Sequence, residues 1–150
     1  MPSVSFERTV TVSTEPATVW EVVTDVSRVA GWVSVVGSVV EVEALRRYTS
    51  VLTDQLGPFR LSADLEVGVT SLADGESIRF LAEGEDRQVA SRIRIEAGLT
   101  LRPVGDLTAV DVDGTYEVTG RVASLGGSMI RSKGDKILDQ FFAALEAELG

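Results

Sequence analysis

Reactive side chains are scarce in this sequence of 150 residues, which contains neither histidine nor cysteine. It therefore lacks the commonest general base, the commonest transition-metal ligand, thiolate nucleophiles and disulfides. Ser124 and Ser128 have no evident base, so the usual hydrolytic triad cannot be assembled. We identify no catalytic residues and no metal-ligating set, which favours a protein that is not an enzyme.

The acidic candidates for chemistry are Asp111 and Asp113. They lie two residues apart on one face of a predicted strand, where two carboxylates can bind a cation or exchange protons. They fall in the polar phase of that strand, however, which favours a solvated surface.

Two tyrosines and two cations are candidates for holding a ligand. Tyr48 or Tyr116 would donate a hydrogen bond to a ligand carbonyl, because buried tyrosine hydroxyls usually find a partner. Arg8 and Lys133 would place a positive charge at one end of a cavity. These groups suit recognition better than catalysis.

The net charge of −9, from 14 basic and 23 acidic residues, disfavours nucleic acid and anionic lipid as partners. At most we expect peripheral contact with a membrane. The first ten residues lack the apolar run of a signal peptide, and no apolar stretch approaches the length of a membrane span. These features predict a cytoplasmic protein.

A long amphipathic helix is predicted at the end of the chain, from about Ser128 to Leu149. Apolar residues recur there at the spacings of one helical face, namely Ile130, Ile137, Leu138, Phe141, Phe142, Leu145 and Leu149. Such a helix needs an apolar partner.

The preceding residues predict that partner. A strand from Val4 to Val12 is followed by two short helices, one with Pro16 at its first position and one from Val26 to Ala30 capped by Asp25. We expect Ser13 or Thr14 to cap the first. Six further alternating stretches, joined by short turns, predict an antiparallel meander, over about 39–46, 48–56, 59–70, 76–84, 89–101 and 107–119.

Such a sheet has one dry face, and the terminal helix is the only large apolar element available to cover it. The sequence therefore predicts an α+β helix-grip fold. A curved antiparallel sheet of about seven strands wraps around the long C-terminal helix, with two short helices after the first strand. We expect one domain over residues 1–150.

The run STEPATVWEVVTDVSRVAGWVSVVGSV resembles the opening segment of the START-like (SRPBCC) superfamily, which includes Bet v 1 relatives and polyketide cyclases. The residues at its recurring positions are Pro16, Val19, Trp20, Asp25 and Trp32. Within the superfamily the chain is most similar to the G-subunit family of carbon monoxide dehydrogenase. The supporting motifs are Gly57-Pro58-Phe59, the Gly84 region, Gly114-Thr115 and the run from Gly120 to Gly126.

The resemblance implies a deep apolar cavity between sheet and helix that holds a lipid, sterol, polyketide or quinone. For the G-subunit family it implies an accessory role beside a molybdenum carbon monoxide dehydrogenase. That role is to hold a menaquinone-type quinone or to deliver the enzyme to the membrane. The implied bound group is a quinone or lipid, and the implied partner is a dehydrogenase complex.

The apolar inward phases fit a filled core and a ligand cavity equally well; the resemblance favours a cavity. The expected wall consists of Trp20, Trp32, Phe59, Leu61, Leu65, Ile78, Phe80, Ile93, Tyr116, Met129, Ile130, Ile137 and Phe141. Trp20 also fits a simple core anchor, and Trp32, in a loop-rich region, fits a cavity mouth. Such a wall favours a flat or chain-like apolar ligand.

Three glycines, Gly126, Gly127 and Gly134, lie at or inside the start of the last helix. A glycine in a helix interior costs about 1 kcal/mol relative to alanine. Either close packing or a late helix start accounts for them, or they form a gate that admits ligand. We predict that the 120–134 segment is that gate.

The sequence thus favours non-catalytic binding of a hydrophobic small molecule in the cavity. One alternative is an enzyme of the polyketide cyclase or dehydratase kind that uses the same cavity. Another is an interaction module whose cavity no longer binds a ligand.

Overall fold

The computed structural model describes residues 3–150; residues 1 and 2 of the predicted domain lie outside the described part. Seven antiparallel strands form one sheet in the order β1-β7-β6-β5-β4-β3-β2. They are β1 (Ser3–Val12), β2 (Val36–Glu43), β3 (Arg47–Leu56), β4 (Phe59–Ala73), β5 (Ser77–Asp86), β6 (Ser91–Val104) and β7 (Leu107–Gly120). The helices are α1 (Pro16–Val23), α2 (Val26–Ala30), a 3₁₀ helix (Arg121–Leu125) and α3 (Gly127–Leu149).

The predicted helix-grip fold is confirmed, with the long helix on one face of the sheet. Neighbouring strands follow the order of the sequence except at one point, where β1 pairs with β7. This pairing places the first strand beside the last one and close to α3. No helix within residues 3–150 combines the length and apolar character needed to cross a membrane.

The first hairpin differs from the prediction at both of its ends. β2 begins at Val36, so the predicted loop through Gly37 is shorter than expected. The turn lies at 44–46 rather than near Arg47, because Leu45 adopts a positive φ of 56° and its N–H donates to the Tyr48 hydroxyl at 2.7 Å. Tyr48 is therefore a buried support of this turn.

The short helices begin as predicted, with one correction. Pro16 occupies the first turn of α1, and the Asp25 carboxylate accepts the Arg28 N–H at the start of α2. Thr14 does not cap α1: its hydroxyl donates to the Leu149 carbonyl at 2.5 Å, and no side chain among residues 3–150 caps that helix. The hydroxyl instead fastens the end of α3 to the chain entering α1.

Two separate groups of buried apolar side chains stabilise the grip. Core A joins α1 and the second half of α3 to the sheet, and consists of Val12, Val19, Trp20, Val22, Val23, Leu101, Val110, Val112, Phe142, Leu145 and Leu149. Core B joins the opposite end of the sheet to the first turn of α3, and consists of Val4, Leu56, Leu61, Ala63, Leu65, Ile93, Val118, Val122 and Ile130. The helix is thus buried at both ends.

The outer face of the sheet carries ion pairs. Asp111 accepts from Arg102 at 2.6 Å and from Thr9 at 2.6 Å, and these contacts hold its pKa below the ordinary value. Asp113 pairs with Arg79 at 3.1 Å. Each aspartate has its own arginine partner, so their placement on the polar face agrees with a surface role rather than a shared cation or acid/base site.

Asp86 generates a test of the fold's response to acid. This carboxylate is buried and accepts the Ser62 N–H at 2.7 Å and the Gln88 N–H at 2.9 Å. The Ser62 hydrogen bond is the main cause that lowers the pKa of Asp86 below its usual 3.8. The ionised form therefore stabilises the fold above pH 3.8, and this contribution disappears as the pH falls through the lower folded pKa.

We expect Asp86→Asn to lower the free energy of unfolding at neutral pH, and the difference from wild type to shrink as the pH falls. Urea unfolding followed by circular dichroism over a pH series measures both. Asp64→Asn, an exposed position on β4, is the matched control and should leave stability nearly unchanged. A difference for Asp86→Asn that does not vary with pH would contradict the assignment.

Candidate functional site

The strand register shows which side chains face α3. Val67 lies opposite Ala82, Val69 opposite Phe80, and Phe80 opposite Ala97. These positions share the sheet face that carries the buried Leu61, Ala63 and Leu65. The apolar phases read from the sequence therefore do point towards the helix.

The middle of this apolar interior is not filled. On α3, Ile130 and Phe142 are buried, whereas Ile137, Leu138 and Phe141 between them are only half-buried. Opposite them, the sheet residues between the two cores are also half-buried, and the resulting inner cleft is defined by Leu52, Val67, Val69, Phe80, Ile137 and Phe141. A concave apolar surface left open between two closed cores is typical of a ligand site.

Tyr116 holds α3 against β7 on one side of the inner cleft. Its hydroxyl donates to the Ile130 carbonyl at 2.8 Å, and its ring packs against Gly134, where a Cβ atom would overlap the ring and hydroxyl. Burial, followed by the nearby Asp135, raises the pKa of Tyr116, so the phenol stays protonated. Because its single proton is given to Ile130, Tyr116 does not supply the hydrogen bond to a ligand carbonyl that the sequence suggested.

Two polar contacts join α3 to the opposite side of the inner cleft. Lys133 Nζ lies 3.3 Å from Asp54 Oδ1 on β3. The Ser34 N–H donates to Gln140 Oε1 at 3.0 Å in the loop before β2. Seven residues separate these contacts along the helix, about 10 Å at 1.5 Å per residue. Ile137 lies between them, so this is the part of the rim through which the cleft is reached.

Aromatic side chains close the core A end of the inner cleft. The Trp32 and Phe141 ring centroids are 5.6 Å apart, and Phe141 meets Phe142 edge-on at 5.2 Å. Arg8 covers the Phe142 ring and pairs with Asp139 at 2.8 Å. The predicted cation at a cavity end is therefore present at Arg8, already neutralised by its own carboxylate.

The predicted wall residues separate into three groups. Trp20 belongs to core A, where its indole N–H donates to Asp74 at 3.1 Å. Four residues belong to core B: Leu61, Leu65, Ile93 and Ile130. Half-buried positions are taken by Trp32, Phe59, Ile78, Phe80, Tyr116, Ile137 and Phe141. Met129 is wrong as an interior residue, because it is 37% exposed near the Gly57 turn.

Asp54 is the polar residue of this site that the sequence interpretation missed. It lies on the same strand face as Leu52 and Leu56, opposite the buried Leu61. The period-two alternation with these leucines was the available signal. A carboxylate in an apolar phase usually indicates an edge or a partner charge, and the partner, Lys133, lies 79 residues away in the sequence.

The three predicted gate glycines have different environments. Gly126 has a φ of 88°, and Gly127 faces open space. Gly134 packs directly on Tyr116, which favours the packing explanation for that residue. The segment that changes direction is therefore the junction between the 3₁₀ helix and α3.

A wide groove of about 1060 Å³ also exists, chiefly on the outer face of the sheet. Its lining includes Asp64, Glu66, Glu83 and Arg92, and its charged character is unlike the apolar interior. Within residues 3–150, no group of three or more acidic side chains is placed to hold a metal ion. The inner cleft is the better candidate for an apolar ligand.

The Tyr116 contact generates a comparison of two glycines in the same helix. Gly134→Ala should lower the free energy of unfolding by about 1–3 kcal/mol, the usual cost of overpacking, since its methyl group meets the Tyr116 ring. Gly127→Ala, the control, should leave stability unchanged or slightly raised because its methyl group meets nothing. Chemical denaturation of both variants decides; equal stabilities would contradict the close contact.

Known structures with the same architecture cover nearly the whole chain. A conserved protein from Geobacillus kaustophilus has a TM-score of 0.84 at 19% identity, over 97% of this chain and 94% of that one. A START superfamily protein from Mycobacterium smegmatis has a TM-score of 0.74 at 18% identity, over 97% and 96%. Ara h 8.0201 has a TM-score of 0.66 at 14% identity, over 97% of each chain. At these identities the likeness shows the fold.

Comparison with curated proteins gives no significant match. A family model for the G-subunit of carbon monoxide dehydrogenase (CoxG) matches residues 9–150. That range contains α1, the inner cleft and the whole of α3. The chain is a START-like helix-grip protein that belongs to the CoxG family of carbon monoxide dehydrogenase.

Proposed function

We propose that this protein binds a hydrophobic small molecule without chemical change, in the inner cleft between α3 and the sheet. The observation that carries the proposal is the half-buried apolar middle of the interior, between two fully buried cores. A protein that needed only a filled core would bury Phe80, Val69 and Ile137. A ligand that covers them supplies the missing contacts.

A lipid or a respiratory quinone is the ligand class that fits best. A flat ring or an extended chain can slide between helix and sheet, and its apolar area stabilises the complex by about 25 cal/mol per Å². About 200 Å² would contribute roughly 5 kcal/mol, before the cost of association is subtracted. Apolar burial on this scale supports reversible binding.

Membership of the CoxG family supports an accessory role beside a molybdenum carbon monoxide dehydrogenase. In that role the protein holds the quinone that receives the enzyme's electrons, or brings the enzyme to the membrane where quinones are dissolved. The net charge of −9 disfavours strong attachment to anionic lipid. The dehydrogenase and the ligand itself are the partners of this proposal.

An enzyme of the polyketide cyclase kind has less support. On the interior side, Tyr116 gives its proton to a backbone carbonyl and Asp54 is paired with Lys133. Asp111 and Asp113 lie on the outer face, bonded to arginines. Turnover of an aromatic polyketide by the purified protein would favour this alternative.

Filling the inner cleft tests the binding proposal directly. Native mass spectrometry and solvent extraction of the purified protein should detect a lipid or quinone. Val67→Trp, on the inner face, should reduce binding of a short-chain menaquinone by at least about tenfold, which corresponds to 1.4 kcal/mol. Glu66→Trp, the adjacent residue on the outer face, is the control and should bind normally. Equal binding by both variants, or none by the wild type, would refute the proposal.

The junction before α3 is proposed as the gate. Alanine at Gly126 must adopt a φ near 88°, a conformation that costs about 1–2 kcal/mol, although its methyl group meets no atom. Gly126→Ala should therefore change the rates of ligand entry and release by several-fold, measured by stopped-flow fluorescence, whereas Gly127→Ala should have a smaller effect. Unchanged rates in both variants would exclude a gate at this junction.

A further inference from the structure

An ion pair crosses the apolar space between α3 and β3. Lys133 Nζ lies 3.3 Å from Asp54 Oδ1, with the side chains 32% and 19% exposed. Around the pair, Ile130 and Ile137 lie one turn away on the helix, and Leu52 and Leu56 flank Asp54 on the same strand face. Removing two charges from water costs free energy that their mutual attraction only partly offsets. A pair in this position needs a further reason.

The donors and acceptors of the pair are unequally used. Asp54 Oδ1 also accepts the Gln55 N–H at 2.8 Å, so the carboxylate is held by two donors. An ammonium group carries three N–H donors, and Asp54 takes one of them. Lys133 therefore retains donors for an oxygen atom at the edge of the inner cleft.

The other polar groups near the cleft are engaged elsewhere. Tyr116 gives its only proton to Ile130, and Arg8 is paired with Asp139 beneath the Phe142 ring. Gln140 exchanges hydrogen bonds with Ser34. Among these groups, Lys133 is the one with donor capacity to spare.

We propose that the Lys133–Asp54 pair is the polar anchor of the bound molecule and that it selects a neutral oxygen acceptor over a carboxylate. This inference rests on the proposed function of the inner cleft. A carbonyl or ester oxygen accepts an N–H of Lys133 while the ion pair stays intact. A carboxylate would lie within a few ångströms of the Asp54 carboxylate, whose charge repels it in a half-buried site. The ligand is thus a neutral, carbonyl-headed amphiphile.

Two probes with the same chain separate head from tail: laurate and methyl laurate, each displacing the neutral dye Nile red at mildly alkaline pH. For the wild type we expect methyl laurate to bind at least about tenfold more tightly than laurate, the effect of one charged hydrogen bond and one repulsion. Asp54→Asn leaves Lys133 charged but removes the repulsion, so the preference should disappear or reverse in favour of laurate.

Lys133→Met should weaken methyl laurate by about tenfold, and Lys133→Gln, which keeps an N–H donor, should restore most of that loss. Lys136→Met removes an exposed cation from the same helix and is the control. Circular dichroism confirms that each variant folds. The conservative Gln variant keeps the test valid if the Met variant is unstable.

The outcomes separate this inference from the proposed function. If both probes bind all variants with the same ratio, the cleft binds apolar molecules but the pair is not its anchor. If neither probe displaces the dye from the wild type and no lipid is extracted, both proposals fail. A laurate preference in the wild type would also overturn the selection proposed here.

Discussion

The contact between Tyr116 and the first half of α3 determines where the helix stands relative to the sheet. A tyrosine on β7 reaches a backbone carbonyl of the helix, and the residue facing its ring is a glycine, so helix and sheet approach closely at this point. Further round the curved sheet, α3 reaches β3 through the longer Lys133 side chain. The helix is close to one wall and bridged to the other, which leaves space between them.

That space explains why the hydrophobic core is divided. Core A seals the end where α1 packs under the second half of α3, and core B seals the end where the 3₁₀ helix meets β4 and β6. Each is as completely buried as an ordinary protein core, so stability does not require the middle to be filled. The fold can therefore be stable while it keeps an apolar surface available to a ligand.

Charge is distributed according to the same division. Arg79 and Arg102 neutralise the aspartates of β7 on the outer face, where water screens the pairs and they contribute little stability. The inward Lys133–Asp54 pair lies among apolar side chains, where its free-energy cost is larger and its influence on a nearby ligand stronger. The same kind of interaction is thus structural surface in one place and a determinant of recognition in the other.

The sequence by itself determined the elements, their order and the family, because these depend on local patterns. Alternation in the strands, the Pro16 and Asp25 signals and the long apolar stripe of α3 predicted the sheet and helices to within a few residues. The same patterns predicted which residues face inward, but not which of them are fully buried. Met129 follows the interior pattern and is nevertheless exposed.

Only the tertiary structure decided how the inward residues are used. Tyr116 and Ile130 are 14 residues apart and Asp54 and Lys133 are 79 apart, so no local period relates either pair. Whether a tyrosine proton is free for a ligand, or an apolar face meets another, depends on the curvature of the sheet and the distance to α3. Those are properties of the assembled sheet and helix, and they are what open the cleft and place a charged pair at its edge.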